Sequence, residues 1–202
     1  MKIGILGSGT VALALGEAWA AKGHAVFIGA RHSQKPTLKA LLQRNQNIQT
    51  GALAQAATFG DVVLLAVNPW GEIAAVLHPL QGVLAGKILI DVSNNITFGD
   101  KPTLAFRDKS MGEYVQESVP QTHVIKTLNI TPAAMMTDPH QSGINPAVGW
   151  VAGNNADAKQ LVSGLVKDLG WDEVVDIGDI HSSMLQENVG LILTLVVTGL
   201  QQ

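Results

Sequence analysis

Residues 7–16 read Gly7-Ser8-Gly9-Thr10-Val11-Ala12-Leu13-Ala14-Leu15-Gly16, the pattern G-x-G-x-x-A-x-x-x-G. It follows directly on the apolar run 2–6 and opens a stretch with Val11, Leu15 and Ala18 on one side. Each small residue has a physical reason. Gly7 permits a tight turn, and Gly9 lets the backbone approach a pyrophosphate with no Cβ in the way. Ala12 and Gly16 lie one helical turn apart, so the helix can pack closely on a sheet. The free N–H groups at the helix start and its dipole favour an anion there. The stretch therefore predicts a strand–turn–helix unit that binds a dinucleotide.

Outward from this unit, continuously apolar runs recur at 25–28, 61–67, 87–92, 123–129, 147–152 and 173–177. Runs without polar alternation suit strands covered on both faces. Helical stretches are expected at 10–22, 70–77 and 156–169. The alternation predicts an α/β fold, a Rossmann-type doubly wound, mainly parallel sheet that ends in a β-α-β unit and a final apolar helix. The polar segment 97–121 is expected to be a loop with one helix at 110–117. Segment 132–146 reads as a second loop whose Met135 and Met136 plug the core or line a ligand site.

With 202 residues the chain suits one domain: a dinucleotide-binding core at 1–152 and a β-α extension with the last helix at 153–202. Hydrophobic residues make up 47% and charged residues 14%, which excludes a disordered chain. A net charge of -3 with no basic cluster argues against nucleic acid as a partner. No cysteine is present, so disulfides and thiol nucleophiles are excluded. The N-terminus carries Lys2, an apolar stretch and Ala18-Trp19-Ala20, as a signal peptide would. Gly7 and Gly9 interrupt that run and Glu17 adjoins the supposed cleavage site, so a cytoplasmic chain is expected. The apolar tail 189–200 falls short of the ~20 residues of a membrane span, and no membrane partner is expected. Because the last helix is apolar on all sides after Asn188, it is expected to be buried in the core or against a second subunit, as a homodimer.

The end of the second strand carries Gly29-Ala30-Arg31-His32. NAD-preferring sites place an acid here to bond the adenosine ribose 2′-hydroxyl. A carboxylate would repel a 2′-phosphate, whereas Arg31 can hold one with two parallel charge-assisted bonds. His32 and Lys35 add donors within reach. The missing acid selects NADP(H). The six histidines show no metal-ligand spacing. Among them His140 and His181 are best placed to approach a substrate, though each reads first as a surface or capping residue. Asp91 reads as a turn cap rather than a general base.

Taken together, "GILGSGTVALALG", "IGARH", "DVVLLAVNPW", "ILIDVSNNIT", "HVIKTLNITPA" and "WVAGNNADAKQLVSGLVKDLGWDEVVDIGDI" resemble the NADPH-dependent reductases of the deazaflavin coenzyme F420. The same fold family includes the cytosolic domains of membrane ferric reductases. The resemblance implies that Gly7, Ser8, Gly9, Thr10 and Val11 hold the pyrophosphate, and Arg31 with His32 the 2′-phosphate. It implies that Ala66, Val67 and Asn68 line the adenosine and ribose side. Ser93 and Asn94 would lie near the nicotinamide ribose, and Asn129 would border the nicotinamide. Two positions depart from the family: Ala30 replaces a serine hydroxyl donor, and Asn68 precedes Pro69 where valine usually does.

The implied activity is hydride transfer from NADPH to a small-molecule acceptor, F420 or a flavin such as FMN or FAD. The cofactors would supply that chemistry without a catalytic side chain. A non-catalytic NADP(H)-binding module, a redox sensor or partner subunit, is the alternative that the same residues allow.

Overall fold

The computed structural model describes residues 1–32, 35–67, 70–143 and 145–199. Strand β1 (Lys2–Leu6) lies inside an eight-stranded sheet and leads through the Gly-rich turn into α1 (Thr10–Ala21). The chain then winds outward through β2 (Ala25–Gly29), α2 (Pro36–Arg44), β3 (Ile48–Gly51) and α3 (Leu53–Phe59). It returns to the other side of β1 as β4 (Val62–Leu65). Short helices α4 (Ile73–Leu77) and α5 (Gln81–Leu84) lead to β5 (Ile88–Asp91). A two-stranded ribbon, β6 (Ile96–Thr97) with β7 (Thr103–Leu104), precedes α6 (Met111–Ser118) and β8 (His123–Thr127). Then follow α7 (Ala133–Thr137), β9 (Val148–Gly153), α8 (Ala156–Asp168), β10 (Glu173–Asp176) and α9 (Ser183–Gly199).

The sheet order is β10-β9-β8-β5-β4-β1-β2-β3. All neighbours run parallel except β8 and β9, which pair antiparallel. Strand β9 thus reverses direction while β9-α8-β10 remains the expected parallel unit. The ends of the expected strands lie within two residues of those observed. Several regions differ from the sequence reading, which lacked α2, α3 and the β6–β7 ribbon. Strand β3 was not foreseen, since Ile48-Gln49-Thr50-Gly51 is short, polar in its middle and at the sheet edge. The loop expected over 132–146 contains α7, whose Met136 is buried in the core and plugs it.

The local signals are chemical. Ser110 and Glu113 cap α6 reciprocally: the Ser110 hydroxyl accepts from the Glu113 N–H at 3.0 Å, and Glu113 accepts from the Ser110 N–H at 2.8 Å. Asn155 accepts from the Ala158 N–H at 2.8 Å and starts α8. A Cβ on Gly16 would stand 3.0 Å from the Ile5 side-chain end and 3.3 Å from that of Ile28, so glycine lets α1 lie this close to β1 and β2 without those ends giving way. One apolar core lies under α1 and α8, where the Trp19 indole N–H donates to the Leu165 carbonyl at 3.0 Å. A second lies under α3 to α6.

The final helix was expected to be covered by core or by a second subunit, and the chain's own core does not cover it: its buried face is Ser183, Gln186, Glu187 and Gly190, while Leu185, Ile192, Leu193, Leu195, Val196 and Val197 face outward. Counted from Ile180, the helix is long and apolar enough to cross a membrane by length and composition, because the apolar tail is continuous with the turn before it. Its inward polar side chains fasten it to protein, however.

Candidate functional site

Strands β1, β2 and β3 extend the sheet one way and β4 and β5 the other, so the connections diverge between β1 and β4. A crevice opens outside the carboxyl ends of strands at such a point. Gly7 has φ +127, and a Cβ there would lie 2.2 Å from the Ala66 carbonyl oxygen. Its N–H donates to the Gly29 carbonyl at 2.9 Å. The tight turn therefore brings the ends of β1, β2 and β4 together. Gly9 is the N-cap of α1 and gives no side-chain cap, and the first helical bond runs from the Leu13 N–H to the Gly9 carbonyl at 3.0 Å. The amides ahead of Leu13 remain available to an anion.

Two cavities meet at this turn. One, of about 400 Å³, gathers Gly7, Ser8, Gly9, Arg31, His32, Lys35, Ala66 and Val67. Gly7, Ser8 and Gly9 of the expected pyrophosphate set are thus brought into one cavity with the expected 2′-phosphate residues. Lys35 reaches across it to donate to the Ser8 hydroxyl at 3.3 Å, which puts its ammonium nearer the pyrophosphate turn than the sequence placed it. The other, of about 500 Å³, is lined by Thr10, Val11, Val92, Ser93, Asn94, Ile96, Phe98 and Thr194, with Gly9, Ala66 and Val67 shared between the two. Asn68 lies outside the described residues. Asn129 sits one side chain deeper: its amide donates to the Asn94 side-chain oxygen at 2.9 Å, while Asn94 donates to the Asn129 carbonyl at 2.7 Å. Asn129 thereby orients Asn94. Gly190 of α9 backs the pair, since a Cβ there would come within 2.9 Å of the Asn94 oxygen.

Beneath the second cavity lies a charged network that sequence reasoning missed. Lys126, on β8, is 0% exposed and sits 2.9 Å from Asp91 and 2.7 Å from Glu187. Its ammonium also donates to the Ser93 carbonyl at 2.6 Å. Asp91 in turn accepts from the Ser93 N–H at 2.9 Å and from its hydroxyl at 2.6 Å, the turn-capping role expected of it. Glu187 accepts the Met111 and Gly112 N–H groups at 2.8 and 3.0 Å, at the start of α6. Burial drives the Lys126 pKa down, but Asp91 and Glu187 outweigh it and hold the ammonium above the ordinary lysine value. The network fixes the Ser93–Asn94 turn that lines the cavity. A lone lysine inside the apolar run 123–129 was the available sequence signal.

Ile96, Phe98 and Thr194 were also missed as lining residues, because they arrive from the ribbon and from α9. His140 and His181 do not line either cavity. His140 lies 3.5 Å from Asp172, and exposed His181 contacts Glu113. Among the described residues no cluster of three metal-ligating side chains occurs.

The sequence comparisons agree with this geometry. Residues 2–95 match a family model described as NADP oxidoreductase coenzyme F420-dependent. The chain is 30% identical to the F420-dependent NADP reductase of Methanocaldococcus jannaschii over 94% of its own length and 89% of that protein. It is 29% identical to rat Metalloreductase STEAP3 over 98% of this chain but only 40% of that protein, so it spans about two fifths of that longer relative. A crystal structure described as an F420-dependent NADP-reductase from Arthrobacter sp. FB24 superposes with a TM-score of 0.90 at 33% identity, covering 100% of this chain and 96% of the other. The chain belongs to the F420-dependent NADP oxidoreductase family.

Proposed function

We propose that this chain is an NADP(H)-dependent reductase that passes a hydride between NADPH and a flavin-like ring, either F420 or FMN or FAD. The observation that carries this reading is the pair of cavities sharing Gly9, Ala66 and Val67. A dinucleotide whose pyrophosphate rests on the Gly-rich turn would extend its adenosine half toward Arg31 and its nicotinamide half toward Ser93 and Asn94. The second cavity then keeps room for another ring against Val92, Ile96 and Phe98. Apolar and neutral side chains there suit hydride transfer, which needs close stacking and little water. Bound NADPH supplies the hydride. The chain's own residues place the nicotinamide and exclude solvent. All 202 residues act as one NADP(H)-binding unit in this reading.

The test is loss of reduced-nicotinamide absorbance with F420, FMN or FAD added separately. Turnover with any one of them is the expected result. Tight NADPH binding with no oxidation by all three would instead favour a non-catalytic binding module.

A second copy of the chain is the proposed partner of α9. Ile192 and Val196 are 58% and 52% exposed, and they lie one helical turn apart on the same outward apolar face. Burying that face against its own copy would remove it from water. Light scattering is expected to give twice the 21.3 kDa chain mass, and Ile192→Glu with Val196→Glu is expected to give the monomer. A wild-type monomer at micromolar concentration would refute the pairing. A cytoplasmic location goes with this reading, supported by Glu187, which in the first turns of the helix is buried against Lys126 and the start of α6.

A further inference from the structure

The Arg31 guanidinium is already engaged. Its Nη1 lies 2.6 Å from the Glu72 carboxylate, on the turn that follows β4. Arg31 forms part of the wall between the 400 Å³ cavity and an open groove lined by Ala30, Leu53, Glu72, Val76 and Pro79. Glu72 lines the groove and not the 400 Å³ cavity, so its pair with Arg31 is made outside that cavity's lining. Arg31 and Glu72 side chains are 63% and 38% exposed, which leaves both free to re-pair.

We propose that Glu72 is a specificity-determining residue: it competes with the cofactor's 2′-phosphate for Arg31 and thereby limits the preference for NADP(H) over NAD(H). This rests on the reading that Arg31 receives the 2′-phosphate. Glu72 opposes that phosphate in two ways. A guanidinium donor given to Glu72 must be released or shared before it can make the second of two parallel bonds to phosphate. The remaining carboxylate also repels a group that carries close to two negative charges at neutral pH. The neutral 2′-hydroxyl of NAD(H) meets neither obstacle. Removing Glu72 therefore strengthens one cofactor selectively. Exposed ion pairs contribute about 0.2–1 kcal/mol, which converts to roughly a 1.4-fold to 5-fold change in affinity.

The experiment measures NADP⁺ and NAD⁺ dissociation constants by calorimetry for the wild type, Glu72→Gln and Arg31→Ala, with circular dichroism to verify folding. Glu72→Gln is expected to bind NADP⁺ about 1.4-fold to 5-fold more tightly, with NAD⁺ unchanged and with the gain shrinking at high salt. Arg31→Ala is expected to weaken NADP⁺ selectively. If Arg31→Ala is selective but Glu72→Gln binds NADP⁺ equally or less well, Glu72 does not compete and the proposal fails, while the Arg31 reading stands. If Arg31→Ala weakens both cofactors alike, Arg31 does not receive the 2′-phosphate, and both readings fall together.

Discussion

Gly9→Val is expected to abolish measurable NADP(H) binding, by on the order of 100-fold or more, while leaving the fold intact. Gly9 occupies an extended conformation, with φ -84 and ψ -177, which a β-branched residue also adopts. A Cβ at this position meets no atom within 4 Å, so the protein itself has room for the side chain. That room is where both cavities meet, and the valine methyls would fill the space left for a pyrophosphate. Gly7 offers no such clean test, because its positive φ and its contact with Ala66 would damage the turn itself. Calorimetry alongside circular dichroism decides the matter. A folded Gly9→Val protein with normal affinity would place the cofactor elsewhere.

Lys126→Met is expected to destabilise the chain by about 3–5 kcal/mol, because it strands two buried carboxylates without their shared cation. For a chain of this size that corresponds to a fall in Tm on the order of 10 °C, read by thermal unfolding. Replacing Asp91 and Glu187 by apolar residues as well is not expected to restore the loss fully. The Met111, Gly112 and Ser93 N–H groups would then lack their acceptors. A Tm within 2 °C of wild type for Lys126→Met would show that the network contributes little (~1 kcal/mol or less).

The same groups set a pH profile. The raised Lys126 value means that its contribution is fully present below the unfolded lysine value of about 10.4 and is lost as pH climbs through the higher folded value. On the acid side burial raises the Glu113 pKa, but bonds from Ser110 and His181 lower it further, to a net value below the ordinary one. Its contribution is present above the unfolded glutamate value of about 4.3 and fades as pH falls through the lower folded value.

Much of the fold was legible because its signals are local. The Gly-rich turn, the continuous apolar runs and the S-x-x-E start of α6 each depend on residues close in sequence. Strand direction was not legible at β9: an apolar run states burial, but the path through α7 decides which way the strand enters the sheet. The half of the site proposed to hold phosphate could be read from single positions such as Arg31. Its countercharge, Glu72, lies far along the chain, and no periodicity links the two. Thr194 and Phe98 were invisible for the same reason, since tertiary folding brings α9 and the ribbon over the cavity. The network of Lys126, Asp91 and Glu187 joins three elements that sequence distance keeps apart.

The inverted arrangement of α9 has a consequence for register. A helix seated by an apolar stripe can slide or rotate slightly and still bury comparable area, since hydrophobic contact has no preferred direction. Here the seating groups are the Glu187 carboxylate, the Ser183 hydroxyl and a glycine, and the polar contacts are directional. Advancing the helix by one residue would turn it by about 100° and swing Glu187 away from Lys126. The same slip would push a side chain into the space that Gly190 leaves for Asn94. The chain therefore accepts one angular setting of α9, and a one-residue insertion between Ser183 and Glu187 should disturb the cavity lined by Ser93, Asn94 and Thr194 although it lies outside that cavity's lining.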